Sequence, residues 1–222
     1  MYKYRNRIHF YARLAFAFIT LISLTACQSM YYGAMEKVGY EKREILVDRV
    51  DSARESQQDA KKQFESALEQ FVAVTNYSGG ELDKQYKSLK SAYEDSKSRA
   101  QEVHERIGSV EHVARALFNE WQAEIAQYSS KDLKHTSEQQ LQNTKYSYKT
   151  LITSMKRAEK KIEPVLTAFH DRVLFLKHNL NASAITSLKT QKKSVEADIK
   201  SLIADMNKSI SEADSFIRKM SN

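Results

Sequence analysis

The chain has 222 residues, 41% of them hydrophobic, with 35 Lys+Arg against 28 Asp+Glu, 5 Gly, 1 Pro and 1 Cys. One cysteine excludes an intrachain disulfide framework and a cysteine-built zinc site. So few glycines and prolines argue against a turn-rich β-sandwich or barrel, which needs a punctuating residue about every 8–12 positions.

Residues 1–26 read as a targeting segment. Lys3, Arg5, Arg7 and Arg13 give a positive start, and Leu14 to Leu24 (LAFAFITLISL) is an apolar run of eleven residues. That run fits a secretory signal and is too short for a spanning helix, which needs about 18–20 apolar residues. Next comes Leu24-Thr25-Ala26-Cys27. This resembles the lipobox of bacterial lipoproteins, in which a small residue precedes the cysteine that is acylated. The resemblance implies cleavage between Ala26 and Cys27 and a diacylglyceryl and fatty-acyl (palmitate-type) anchor on Cys27. The alternatives are an uncleaved membrane anchor or an ordinary signal with an incidental cysteine. The only cysteine of the chain standing at this one place favours acylation. Each buried methylene contributes about 0.8 kcal/mol, so several acyl chains hold a protein on a bilayer essentially permanently. Position 28 is Gln, not the Asp that resembles an inner-membrane retention signal, so the expected address is the periplasmic face of the outer membrane.

Loss of residues 1–26 removes four basic and no acidic residues, which lowers the net charge from +7 to +3. A nearly balanced surface is a poor nucleic-acid binder, and no nucleic-acid partner is expected. Residues 27–40 then form a lipidated tether. Fully extended, 28–40 reaches at most about 45 Å. Tyr31, Tyr32 and Tyr40 on this tether either sit at the lipid headgroup level, where amphipathic rings are favoured, or pack on the end of the following domain.

The body, 41–222, follows a 4,3 repeat. The first seam is Leu46, Val50, Ala53, Gln57, Ala60, Phe64, Ala67, Phe71, Val74. In the second, from Leu82 to Tyr128, twelve of fourteen positions are apolar, where composition alone would give about six. A third runs from Leu141 through Leu151, Met155, Ala158 and Ile162 to Phe169, and a fourth from Leu188 to Met220. A 3.5-residue repeat held this long means supercoiled helices packed side by side. The seams predict helices over 41–77, 81–128, 132–178 and 183–220, the second on the order of 70 Å long. Gly79-Gly80 closes the first. Ser129-Ser130, or Thr136 with Gln139, starts the third, and Asn179 to Ser183 supplies cap formers for the fourth. Pro164 predicts a kink in the third. Gln57, Ser96, Glu124 and Ser209 interrupt the seams, and Ile125 is expected to replace Glu124 in the core, because an unpaired buried carboxylate is costly. With short connections the expected fold is all-α, an elongated antiparallel bundle of about four long coiled-coil helices.

Three blocks, Tyr31 to Val50 (YYGAMEKVGYEKREILVDRV), Ser56 to Phe71 (SQQDAKKQFESALEQF) and Val173 to Ser187 (VLFLKHNLNASAITS), resemble the domain-of-unknown-function 2959 family of proteobacterial lipoproteins. The resemblance covers nearly all of 27–222 and implies an envelope location, helical structure and no established activity.

Catalytic chemistry finds little purchase. None of Gly33, Gly39, Gly79, Gly80 and Gly108 stands in a G-x-x-x-x-G-K-[ST] frame that would cradle phosphates, so no nucleotide is expected. No G-x-S-x-G elbow occurs. His104 and His112 are eight residues apart, as are His170 and His178, so each pair lies roughly on one helix face. A hairpin turning near residue 129 would set 104 opposite 154 and leave His170 on the order of 24 Å from His104, which predicts no metal site. No cofactor and no enzyme activity are expected. Glu159-Lys160-Lys161 with Glu163 reads as a solvated face. The cluster Lys156, Arg157, Lys160, Lys161 points away from the third seam, either as plain exposed charge or as a contact for anionic lipid or a protein partner. These features together predict a non-enzymatic scaffold or adaptor of the cell envelope, which binds membrane lipid through acylated Cys27 and an envelope protein or a second copy through its helix faces. The alternative is a module that opens around Pro164 to take a lipid or other apolar ligand.

Overall fold

The computed structural model describes residues 42–77, 79 and 81–221. The signal segment, Cys27 and Tyr31, Tyr32 and Tyr40 lie outside the described residues. The chain divides into Met1–Ile45 and Leu46–Asn222, and the description below is of the second unit.

Four helices make up the described residues, with no strand among them: α1 (Lys42–Thr75), α2 (Leu82–Ile125), α3 (Lys131–His178) and α4 (Ala182–Ser221). Their ends follow from local chemistry. After α1 the chain turns through Gly79, whose φ of +145° is a conformation that glycine takes without a side-chain clash. Ser130 caps α3, its side chain accepting a hydrogen bond from the Leu133 N–H at 3.4 Å; of the two expected starts, the serine pair is the one used. Asn181 caps α4 in the same way, Oδ1 accepting from the Ala184 N–H at 3.0 Å. Helix α3 runs unbroken through Pro164. The proline removes one rung of the ladder, but Ile162, Val165 and Leu166 around it are buried, and their packing holds the helix in place.

The seams form the core. All nine positions of the first, from Leu46 to Val74, have no exposed surface. In α2, Leu89, Tyr93, Ser96, Val103, Ile107, Val110, Ala114 and Leu117 are buried. Leu151, Met155, Ala158, Ile162, Val165 and Phe169 do the same for α3, and Leu188, Val195, Ile199, Leu202, Met206, Ala213 and Phe216 for α4. Glu124 is exposed and Ile125 buried, as the cost of a lone carboxylate requires. Burial also spreads beyond the 4,3 seams to Ala92, Val113, Ser154, Leu166, Ala184 and Ile185. A helix with two neighbours buries a wider stripe than one in a two-stranded coil.

Contacts between helices fix the topology. Gln63 Nε2 donates to the Ala92 carbonyl at 3.2 Å, pairing α1 with α2. The Trp121 indole donates to Ser137 Oγ at 2.9 Å, pairing α2 with α3. Arg54 meets Asp214 at 2.9 Å, which brings α4 back against α1. Phe71 and Phe169 meet edge to face across the core at 6.2 Å, with the Arg172 guanidinium 5.8 Å from the Phe71 ring centre. Helices following each other through tight turns, with first and last in contact, make an up-down four-helix bundle.

Candidate functional site

The basic cluster is where the sequence points first, and the structure gives each of its side chains a distinct position. Lys156 reaches across to α2 and pairs with Glu111 at 2.5 Å. Arg157 and Lys161 turn the other way and share Asp205 of α4 at 3.1 and 2.6 Å. Lys161 also donates to Ser201 Oγ at 2.8 Å. Lys160 projects from the exposed face between them with no ion pair among the described residues. Three of the four charges therefore hold α3 to its two neighbours, and the carboxylates they meet cancel most of the patch's field. The Asp205 carboxyl is held below its ordinary range, chiefly by the hydrogen bond from Lys161, with the charges of Lys161 and Arg157 acting in the same direction against burial.

The stretch around Glu159 is likewise not a plain solvated face. The Glu159 carboxylate, with 24% of its side chain exposed, lies 2.6 Å from His104 Nδ1 on α2. This contact places position 104 opposite 159, five residues further along α3 than a hairpin turning at 129 predicts. His170 instead packs on Tyr93, ring centres 5.4 Å apart. No three His, Cys, Asp or Glu side chains come together in a way that would hold a metal ion, among the described residues. A groove of about 410 Å³ runs between α2 and α3 past Lys97, His104, Glu159 and Glu163. A second depression of about 640 Å³ lies near the other end of the same pair, lined by Gln122, His135, Glu138 and Gln139. Both are open surface hollows with mixed lining.

Further along the α2–α3 pair the contacts turn aromatic. Phe118 meets Tyr148 edge to face at 5.4 Å, and the Lys145 ammonium stands 5.9 Å from the Phe118 ring centre. Burial, reinforced by the charge of Glu111, pushes the Tyr148 hydroxyl up to about 12, so it stays protonated and neutral. At the opposite end burial lowers the Arg172 pKa from its ordinary value, and its guanidinium donates to the Ala168 carbonyl of its own helix.

Sequence reasoning missed the acidic partners Glu111 and Asp205, and it read Glu159 as part of a solvated face where the structure pairs it with His104. Spacing of three or four along one helix reveals pairs within that helix, but partners on neighbouring helices depend on register, which the repeat does not fix. Ala26, Cys27, Tyr31, Tyr32 and Tyr40 lie outside the described residues.

The fold and the interhelical clasps place the chain in the class of antiparallel all-α bundles. More narrowly, it belongs to a family of proteins of unknown function, DUF2959, whose pattern spans residues 31–220. Comparison with curated proteins finds no match to this chain.

Proposed function

We propose that this protein is an acylated envelope lipoprotein: a helical scaffold held on the periplasmic face of the outer membrane through Cys27, with no catalytic role. The observation that carries the reading is Leu24-Thr25-Ala26-Cys27 directly behind a basic start and an eleven-residue apolar run. The bundle supports it by what its polar groups do. Lysines, arginines and carboxylates on all four helices engage one another across helix boundaries, so that the unit serves as a firm spacer whose outer helix faces are free to meet an envelope partner. The apolar residues around Pro164 are packed into the core, which favours the scaffold over a module that opens there for a ligand.

Cys27→Ser is the decisive variant. The wild-type chain, expressed in a bacterium with its own lipoprotein machinery, should begin at residue 27 and carry the added mass of its acyl chains. It should also partition into the detergent phase with the outer-membrane fraction. The variant should lack the acyl mass, keep residues 1–26 because the cut before residue 27 follows acylation, and be lost from the outer-membrane fraction. A wild-type protein whose intact mass shows residues 1–26 still present, or Cys27 unmodified, would overturn the reading.

A further inference from the structure

The end of the bundle from which α1 departs is also the end at which α2 turns into α3. The pairing of Arg157 with Asp205 and of Lys161 with Ser201 sets the register of α3 against α4. In that register Ser221, the last residue of α4, comes level with about residue 141 of α3. The α2–α3 hairpin therefore runs on about ten residues beyond it, on the order of 15 Å. This extension is well built. The Trp121 indole is tied to Ser137, Ile125 and Leu141 are buried, and the Ser130 cap fixes the turn.

At its tip the extension shows apolar groups to solvent. Leu133 is 59% exposed and Tyr128 43%. Lys131 and Lys134 flank them, and over residues 128–137 the only acidic residue is Asp132. An exposed aromatic ring, an aliphatic side chain and two lysines on a rigid turn match the chemistry of a bilayer surface, where rings settle at the headgroups and ammonium groups meet phosphate. A second exposed apolar group, Leu174, Phe175 and Leu180, lies at the opposite end of α3, some 60 Å away by the length of the helix. The chain outside the described residues decides between them. Residues 28–40 reach at most about 45 Å, and they join the bundle at the end that carries the α2–α3 turn.

We propose that the α2–α3 turn is a second contact with the bilayer that holds Cys27, with Tyr128 and Leu133 at the headgroup level and Lys131 and Lys134 on lipid phosphates. This rests on the acylation of Cys27 proposed above. With the membrane touched at two places, the tether and the turn, the bundle stands with its Leu174–Leu180 end pointing away from the lipid.

The test uses the full acylated protein in vesicles of phosphatidylethanolamine and phosphatidylglycerol that contain a little phospholipid spin-labelled at the headgroup. Because acylation occupies Cys27, the only native cysteine, Ser129→Cys and Ser183→Cys each accept a single fluorophore, at the turn and at the opposite end. The label at 129 should be quenched roughly threefold or more strongly than the label at 183. Adding Tyr128→Ser and Leu133→Ser should remove most of that difference, with an unchanged helical circular dichroism spectrum. Equal quenching at the two sites, or stronger quenching at 183, in protein whose mass shows the acyl chains would overturn the turn contact alone. Absence of acyl mass on Cys27 would overturn the anchor and the turn contact together.

Discussion

Gln57 has no exposed surface, and neither end of its amide finds a hydrogen-bond partner among the described residues. Ser209 Oγ and Ser154 Oγ share that condition. The three are close in level. Gln57 follows Arg54 by one turn, Ser154 precedes Arg157 by one turn, and Ser209 lies between Asp205 and Asp214, to which those two arginines are bonded. A polar layer thus crosses the core between two surface clasps. Ser96 escapes the cost by donating to its own helix, to the Ala92 carbonyl at 2.7 Å. A desolvated amide left unpaired costs about 1–3 kcal/mol. Gln57→Leu, which keeps the heptad apolar and the volume similar, should therefore raise the unfolding free energy by about 1–2 kcal/mol in urea titration. A loss of stability instead would mean that the amide is bonded to ordered water trapped in the layer. The polarity of Gln57 and Ser209 was legible as an interruption of the seams. Whether each found a partner was not, because that depends on the three-dimensional level of the neighbouring helices.

At the scale of the helices, the ends and inner faces were readable from sequence and the pairing was not. Predicted spans of 41–77, 81–128, 132–178 and 183–220 meet observed ones of Lys42–Thr75, Leu82–Ile125, Lys131–His178 and Ala182–Ser221. Caps such as Ser130 and Asn181 act within a few residues of themselves, so the sequence contains the whole interaction. The clasp between α3 and α4 is the opposite case, joining residues more than forty positions apart. It carries a pH signature. Asp205 is held below the ordinary carboxylate value in the fold and returns to it, near about 4, when the chain unfolds. A depressed folded-state value favours the charged form, so the clasp stabilises the fold fully above that ordinary value. Its contribution is lost as pH falls through the depressed value. Asp205→Asn should cost about 1 kcal/mol at neutral pH, a modest figure because Arg157 and Lys161 are nearly half exposed. Urea midpoints of the two proteins, measured from neutral pH down to about pH 2, should differ at the top of the range and converge at the bottom. A gap that stays constant with pH would mean that Asp205 contributes by packing and not by charge.

For the unit as a whole, the question raised by long heptads is whether the seams close within one chain or between chains. Sequence leaves both open, since the same 4,3 pattern serves either arrangement. The structure favours closure within the chain. Phe64, Phe71, Phe169 and Phe216, one or two from each of three helices, are all fully buried. The first seam has no surface left for a second copy. What stays exposed among the described residues is different in kind: two small groups near the ends of α3, Tyr128 with Leu133 and Leu174 with Phe175 and Leu180, and Tyr146, 75% exposed, along α3. Patches of that size sit below what a stable dimer buries, about 800 Å² from each partner. Residues 28–222, which leave out Cys27, should therefore scatter light with the mass of one chain at micromolar concentration, and dilution should leave the urea midpoint unchanged. A dimer mass, or a midpoint that rises with protein concentration, would show that the outer faces of α2 and α3 form an interface after all. In that event Tyr146→Ser should return the protein to one chain, because its side chain is the most exposed large hydrophobic one among the described residues.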